Sequence, residues 1–329
     1  MHTLIDNARY RPLPPGRRSA GFSLVDAFSP DLYTGNPAAV VRLAAFDEID
    51  LDAMQQIAAE LKAPATAFIA PADVSDEEAE FDAAYDIRWF SVTTELPICG
   101  HATFGAAKAL LASGVHPLGS TMIFRSHLGG GDLAIRSDLD ETLELALPSL
   151  PPTPDPTLTD THSTPRAELD AALGIENSGE NAVLYVGRNK YDIIVELDSV
   201  AAVDSLAPNY DLLKAIDCRG VIVTAAGSST QCPAHWPTAD FVSRFFGPSM
   251  GIPEDSATGS AQCALAPYWA DRLGRTDGLV SLQASSRGGC MELALRRAEP
   301  TRSVQDSVVL RSVAQVVVDG TITLPSLLA

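Results

Sequence analysis

A histidine and an aspartate, each beside a glycine-containing turn, are the residues of this chain best suited to moving a proton. His101 lies within segment 99–103 (CGHAT), and Asp255 lies within segment 254–260 (EDSATGS). Each segment precedes an apolar stretch that predicts a buried helix, and the first turn of a helix leaves backbone amides without partners. Two such helix starts facing each other would bind a carboxylate. An imidazole and a carboxylate beside them would serve as general acid and base.

Each of these residues also has a more ordinary interpretation. A lone histidine is more often structural, and a lone aspartate before a helix is more often a cap. Their occurrence at equivalent ends of a repeated unit favours a proton-handling pair instead. Cys99 is a third candidate, because a cysteine before a helix start can act as a base. A small buried residue that packs well is the more frequent role for such a cysteine.

The glycines indicate an internal duplication. The interval from Gly100 to Gly129 equals that from Gly259 to Gly288, and each interval contains an apolar helix followed by strands. We therefore expect two similar lobes, with the last strand, near 313–324, as a candidate to complete the first one. The predicted divisions are a disordered or extended arm at 1–20, a first lobe at 21–148, a proline-rich linker at 149–164 and a second lobe at 165–312.

Composition excludes several classes of function. The 329 residues carry a formal net charge of −19 without a basic stripe, which disfavours nucleic-acid binding. No apolar run has the length of a membrane span and the N-terminus lacks a secretory leader, so we expect a soluble cytoplasmic protein. The five cysteines show no zinc-type spacing and are expected to remain reduced thiols. No dinucleotide fingerprint or phosphate loop occurs, so no metal or cofactor is expected.

Several motifs, in the same order along the chain, resemble those of the phenazine-biosynthesis isomerase (PhzF-like) family. The matching segments are 34–41 (TGNPAAVV), 99–103 (CGHAT), 240–246 (DFVSRFF), 254–260 (EDSATGS) and 286–289 (SRGG). The resemblance implies an α/β fold of the α+β type, like diaminopimelate epimerase, in which each lobe is a curved sheet or barrel around a central helix. It also implies a cofactor-free isomerase, usually a homodimer, that acts on a small acid.

The resemblance also assigns roles to individual residues. His101 corresponds to the family's histidine and Asp255 to its acid from the second lobe. The expected substrate-binding residues at the two helix starts are Gly100, Thr258, Gly259 and Ser260.

One departure from the family pattern concerns the catalytic glutamate. The family's usual run is Asn-x-Ser-Glu-Thr-x-Phe, whereas segment 62–68 reads KAPATAF. Thr66 and Phe68 align the two, so Ala65 occupies the glutamate position and a methyl group cannot carry a proton. In the epimerase relatives, two cysteines act on opposite faces of the substrate. The second-lobe counterpart of Cys99 is Thr258, so a two-base racemisation is disfavoured.

The leading prediction is a cofactor-independent isomerase, biosynthetic in role, that transfers a proton in the cleft between the lobes. His101 and Asp255 are its predicted catalytic residues, together with Cys99. Two alternatives stay open because of Ala65. One is a cyclase or dehydratase with altered chemistry, and the other is a protein that binds a small molecule without turning it over.

Overall fold

The strands form one continuous sheet, in which the same pattern of strand pairing occurs twice. The computed structural model describes residues 18–75, 78–175, 183–227, 232, 238–297 and 306–325, so most of the arm predicted at 1–20 lies outside the described residues. The strands of the first half are β1 (Ser19–Ala27), β2 (Asn36–Arg42), β3 (Ala65–Ala72), β4 (Ala83–Phe90), β5 (Glu95–Leu96), β6 (Thr121–Ser126), β7 (Leu133–Ser137) and β8 (Leu143–Pro148). Those that follow are β9 (Thr153–Pro154), β10 (Val183–Arg188), β11 (Asp192–Leu197), β12 (Gly220–Ala226), β13 (Phe241–Gly247), β14 (Ile252–Asp255), β15 (Leu279–Gln283), β16 (Gly289–Arg296), β17 (Ser307–Ser312) and β18 (Ala314–Thr323).

Seven α-helices accompany these strands within the described residues. They are α1 (Leu51–Leu61), α2 (Gly100–Ala112), α3 (Pro156–Thr159), α4 (Thr164–Leu173), α5 (Val200–Ser205), α6 (Tyr210–Ala215) and α7 (Gln262–Leu273). No helix in these ranges is long and apolar enough to cross a membrane.

The two halves repeat the same pairing of strands. In the first half β1 and β2 are antiparallel, β2 and β3 parallel, β3 and β4 antiparallel, and β4 and β6 parallel. In the second half the pairs β10–β11, β11–β12, β12–β13 and β13–β15 follow the same alternation. Each half then ends in two antiparallel steps, β6–β7–β8 and β15–β16–β17. The duplication inferred from the glycines is therefore present in the topology.

The chain crosses between the lobes twice. β8 and β17, the last strands of the two repeats, pair with each other and make the sheet continuous. After β8 the proline-rich segment crosses to the second lobe, where β9 pairs with β10. After β17 the chain returns, and β18 pairs along the whole of β1. Each lobe is thus completed by a strand that follows the other repeat.

The helix α2 lies at the centre of the first lobe, with eight of its residues buried. Its small residues allow this close approach: a Cβ on Gly105 would lie 3.2 Å from the Cβ of Ala38 on β2. The buried hydroxyl of Thr103 on this helix is paired. Trp89 Nε1 donates to Thr103 Oγ1 at 3.0 Å, and that hydroxyl donates to the carbonyl of Cys99 at 2.9 Å.

The helix α7 has the equivalent place in the second lobe, but it begins differently. A 3-10 turn at Gly259–Ala261 precedes it, so the α-helix starts three residues later than the glycine motif suggests. Pro267 lies inside the helix and has no amide hydrogen for the carbonyl of Cys263. The amide of Leu150, from the crossing segment, donates to that carbonyl at 2.8 Å instead. The crossing chain therefore contributes a hydrogen bond to the central helix.

The remaining helices cover the outer faces of the sheet. Met54, Ile57 and Ala58 of α1 pack on the first lobe, and residues of α4, α5 and α6 pack on the second. A single apolar core contains residues of both central helices and extends between the lobes. The two helix starts are therefore positioned by one common packing arrangement.

One pair of cysteines is oxidised. Cys232 and Cys290 form a disulfide with a Cα–Cα distance of 6.4 Å, whereas Cys99, Cys218 and Cys263 are free. The expectation that all five cysteines stay reduced is wrong for this pair. The two residues are 58 positions apart in the sequence, and only the tertiary structure brings Cys232 within bridging range of Cys290 on β16.

Candidate functional site

Cys99 and His101 form a pair at the start of α2. Cys99 is the N-cap residue and is buried, and its Sγ lies 3.4 Å from Nδ1 of His101. The other ring nitrogen of His101, Nε2, is buried and has no hydrogen-bond partner among the described residues. A buried polar atom without a partner costs free energy, so a hydrogen bond from a bound molecule to Nε2 would be favourable.

Four influences act on the pKa of His101. Burial alone would lower it, because an imidazolium loses its hydration. Negative charge on Cys99, the hydrogen bond to Cys99 and the carboxylate of Asp255 act in the other direction. Together they raise the pKa of His101 above its ordinary value. The sulfur and the carboxylate therefore both favour the protonated ring.

Asp255 ends strand β14, and three donors hold its carboxylate. Asn36 Nδ2 from the first lobe donates to Oδ1 at 2.8 Å, and the amide of Ser256 donates to the same oxygen at 2.9 Å. Thr258 Oγ1 donates to Oδ2 at 2.6 Å. Asn36 Nδ2 also donates to the carbonyl of Ala257 at 2.7 Å. The predicted acid of the second lobe is thus oriented in part by a residue of the first.

The 3-10 turn carries the other predicted binding residues. The amide of Thr258 donates to Oε1 of Gln283 at 2.7 Å, so this amide is already used. Gly259 lies against the ring of Phe28, and a Cβ there would be 3.3 Å from its Cζ atom. Ser260 Oγ accepts a hydrogen bond from Nη1 of Arg219 at 3.2 Å.

The fold brings the two predicted helix starts together. Helix α2 contacts the 3-10 turn that precedes α7. Gly100 packs against Leu145 on β8, and Gly259 packs against Leu310 on β17, the equivalent strand of the second repeat. The predicted site residues His101, Asp255 and Cys99 therefore belong to one cluster between the lobes.

Ala65 is the first residue of β3 and is completely buried. It belongs to the apolar core that also includes Cys99 and Ala257. The position where the resembling family has its glutamate is thus packed among apolar groups and small residues. Any base in this cluster has to come from another residue.

The sequence did not predict four residues that contact the site or its neighbours in the structure: Asn36, Arg219, Gln283 and Arg287. Asn36 lies within a motif that the resemblance used, and a polar residue opening an apolar strand could have singled it out. Gln283 and Arg219 carry no such signal, since a glutamine ending a strand and an arginine before one are common on protein surfaces. Their contacts arise between residues that are far apart in the sequence.

Two clefts of the described surface lie away from this cluster. One of about 490 Å³ is formed by the crossing segment and the β10–β11 turn, and none of its lining residues belongs to the cluster around His101. Within the described ranges, no group of three or more histidine, cysteine, aspartate or glutamate side chains is arranged to hold a metal ion.

The chain is similar to known proteins over most of its length. The family model for phenazine biosynthesis-like proteins (PhzC-PhzF) matches residues 25–320. An uncharacterized isomerase of Halalkalibacterium halodurans is 36% identical over 290 residues, which cover 88% of this chain and 96% of that protein. The crystal structure of a PhzF-family phenazine biosynthesis protein of Enterococcus faecalis superposes with a TM-score of 0.74 at 31% identity, covering 93% of this chain and 99% of the other.

A more distant likeness concerns the fold alone. A hydroxyproline epimerase of Agrobacterium vitis superposes with a TM-score of 0.51 at 10% identity, over 94% of each chain. The α/β fold of epimerase type predicted from the sequence is therefore confirmed. The chain belongs to the PhzC-PhzF family of phenazine biosynthesis-like proteins and is an isomerase of that family.

Proposed function

We propose that the protein is a cofactor-independent isomerase that moves a proton on a small carboxylate-bearing metabolite, in a biosynthetic role. The observation that carries this proposal is the cluster of Cys99, His101 and Asp255 between the lobes. It combines a sulfur 3.4 Å from an imidazole with a carboxylate close enough to raise the pKa of that imidazole. Such groups exchange protons with carbon or oxygen acids near neutral pH.

The proposed anion site is supported by the two opposed helix starts. Their amides and dipoles favour negative charge, and the guanidinium of Arg219, which is in an ion pair with Asp192, lies beside Ser260. Arg219 donates to Ser260 Oγ, so the serine's own proton is free to be donated to a carboxylate. Three buried atoms without partners among the described residues, Nε2 of His101, Oδ1 of Asn36 and Oε1 of Gln262, add polar groups for the rest of the substrate.

The proposed reaction has to proceed without the family's glutamate. In our mechanism the Cys99–His101 pair removes a proton from one carbon of the substrate, and the electrons of that bond form a new double bond. The electrons of the original double bond accept a proton from His101 at another carbon, so the double bond has changed its position. Asp255 stabilises the positively charged ring between these steps.

The test is exchange of hydrogen with the solvent. The purified protein is incubated with candidate small carboxylates in D₂O, and deuterium on carbon is followed by NMR. His101→Gln and Asp255→Asn should each reduce exchange about a hundredfold or more, as expected for loss of a general acid or base. Cys99→Ser tests the thiol directly. His162→Gln, which changes an exposed histidine away from the cluster, is the matched control and should retain full exchange.

Ala65 favours a second candidate function. Without a second strong base the cluster would remove a proton and protonate a leaving hydroxyl group, as in a dehydratase or cyclase. The same incubation distinguishes the two, because a dehydratase gives a product that has lost water. Full activity in both the His101 and Asp255 variants would contradict either mechanism, and tight binding without turnover would favour a non-catalytic binding protein.

A further inference from the structure

Arg287, in the turn between β15 and β16, reaches across to the first lobe. Its Nε donates to the carbonyl of Gly35 at 2.8 Å, and its Nη2 donates to Oδ1 of Asp26 at 2.7 Å and to the carbonyl of Thr34 at 3.1 Å. The amide of Gly35 in turn donates to the carbonyl of Arg287 at 3.3 Å. One residue of the second lobe is therefore bonded at several points to the β1–β2 loop.

The loop that Arg287 contacts has little conformational freedom. Gly35 has a φ of +70°, and a Cβ there would lie 2.3 Å from the carbonyl oxygen of Ala27, so only glycine fits. Asp26 is almost fully buried, and its Oδ2 accepts a hydrogen bond from the amide of Tyr33 at 2.7 Å. Asp26 and Gly35, which both accept hydrogen bonds from Arg287, precede Asn36 in the chain, and Gly35 is its immediate neighbour.

Gln283, the last residue of β15 before this turn, contacts the acid of the site. Nε2 of Gln283 donates to the backbone carbonyl of Asp255 at 2.7 Å and to Oγ1 of Thr258 at 3.1 Å. Asn36 donates to the carboxylate of Asp255 from the opposite lobe. One short segment, 283–287, therefore contacts both the strand end that carries Asp255 and the loop that leads into Asn36.

We propose that Arg287 is a positioning residue that joins the two lobes and holds Asn36 against the carboxylate of Asp255. Its catalytic consequence rests on the proposed function, whereas its effect on the geometry around His101 does not. A guanidinium is suited to this role because its planar group donates in several fixed directions, to a carboxylate and to two carbonyls at once. A lysine ammonium offers one point of charge and would not span these acceptors.

The experiment compares Arg287→Met with Arg166→Met as a matched control. Arg166, like Arg287, forms an ion pair with an aspartate, Asp170, and it donates to the carbonyl of Leu158 far from the cluster. Two quantities are measured: kcat and KM in the exchange reaction, and the titration of the His101 ring by NMR, which needs no turnover. Thermal melts record the stability of both variants.

We expect Arg287→Met to lower kcat by about a hundredfold with a smaller change in KM, because displacement of an active group by about 1 Å has an effect of that size. The His101 ring should then titrate at lower pH, since the Asp255 carboxylate is no longer held near it. Arg166→Met should lower the melting temperature but leave both readouts unchanged. Added guanidinium ion should partly restore kcat in Arg287→Ala.

The outcome that overturns the proposal is a folded Arg287→Met protein with wild-type kcat and wild-type His101 titration. If that variant does not fold, Asp26→Asn weakens the same contact with a side chain of equal size, and an unchanged His101 titration there has the same meaning. A wild type without turnover on any acid would contradict the proposed function only. The His101 titration still decides the role of Arg287 in that case.

Discussion

At the scale of single residues, the chemistry of this site depends on neighbours that the sequence separates widely. Cys99 and His101 are two positions apart, and their contact follows from the helix start alone. Asp255 acts on the same ring only because β14 ends beside α2. Asn36, which orients that carboxylate, comes from the opposite lobe. The types of the reactive groups are visible in the sequence, but their mutual influence is not.

The pKa of His101 predicts a pH dependence of stability. Because its pKa in the folded protein is raised above the ordinary 6.5, the contacts of the charged ring stabilise the fold fully below pH 6.5 and are lost as the pH rises through the folded pKa. His101→Gln should therefore reduce the free energy of unfolding more at pH 5.5 than at pH 9. Urea unfolding of both proteins at the two values measures this, and a larger loss at pH 9 would contradict the assigned direction.

At the scale of elements, the hydrophobic pattern predicted the helices better than it predicted their first turns. The apolar residues that follow Gly100 form α2 as expected, because a helix buried on all sides needs only apolar character and small volume. In the second repeat the sequence Gly259–Ala261 forms a 3-10 turn first. Thr258 uses its amide and hydroxyl for Gln283 and Asp255, so it does not cap the helix.

Close packing of α2 predicts that Gly105→Val is destabilising. The added Cβ alone would be 3.2 Å from Ala38 and 3.5 Å from Val25, and overpacking of this kind costs about 1–3 kcal/mol. Gly320→Val is the control, because Gly320 lies on a strand with open space around the position of a Cβ. Chemical unfolding of both variants is the measurement. Equal stability of the two would mean that α2 is not constrained at Gly105.

At the scale of the whole molecule, two crossing segments of the chain and hydrogen bonds between side chain and backbone link the lobes. Each lobe is completed by a strand that follows the other repeat, so neither is closed without the crossing segments. Arg287 adds polar contacts across the same junction. We therefore expect the two lobes to unfold together in a single transition.

The disulfide predicts a dependence of stability on reductant. Opening a loop of 58 residues gives the unfolded chain more freedom, so Cys232→Ser should lower the free energy of unfolding by about 2–4 kcal/mol. A reducing agent should lower the stability of the wild type by a similar amount and leave the variant unchanged. Cys218→Ser, which removes a free thiol, is the control. An unaffected wild type in reductant would show that the bond does not form in solution.

The assembly expected from the resemblance is a homodimer. Light scattering coupled to size-exclusion chromatography should then give twice the chain mass of 34.8 kDa. A mass of one chain at micromolar concentration would contradict this prediction.

The sequence by itself determined the reactive groups, the repeat and the fold class. These follow from local properties: apolar periodicity, turn residues and motifs whose order is preserved along the chain. The sequence also showed that Ala65 occupies the position of the family's glutamate, because the flanking residues fix its place in the motif. The tertiary structure alone decided how the groups act on one another. Asn36, Arg219, Gln283 and Arg287 acquire their roles through hydrogen bonds between distant segments, and the Cys232–Cys290 bond does so through proximity. Such contacts depend on distances in space, which no local pattern in the chain encodes.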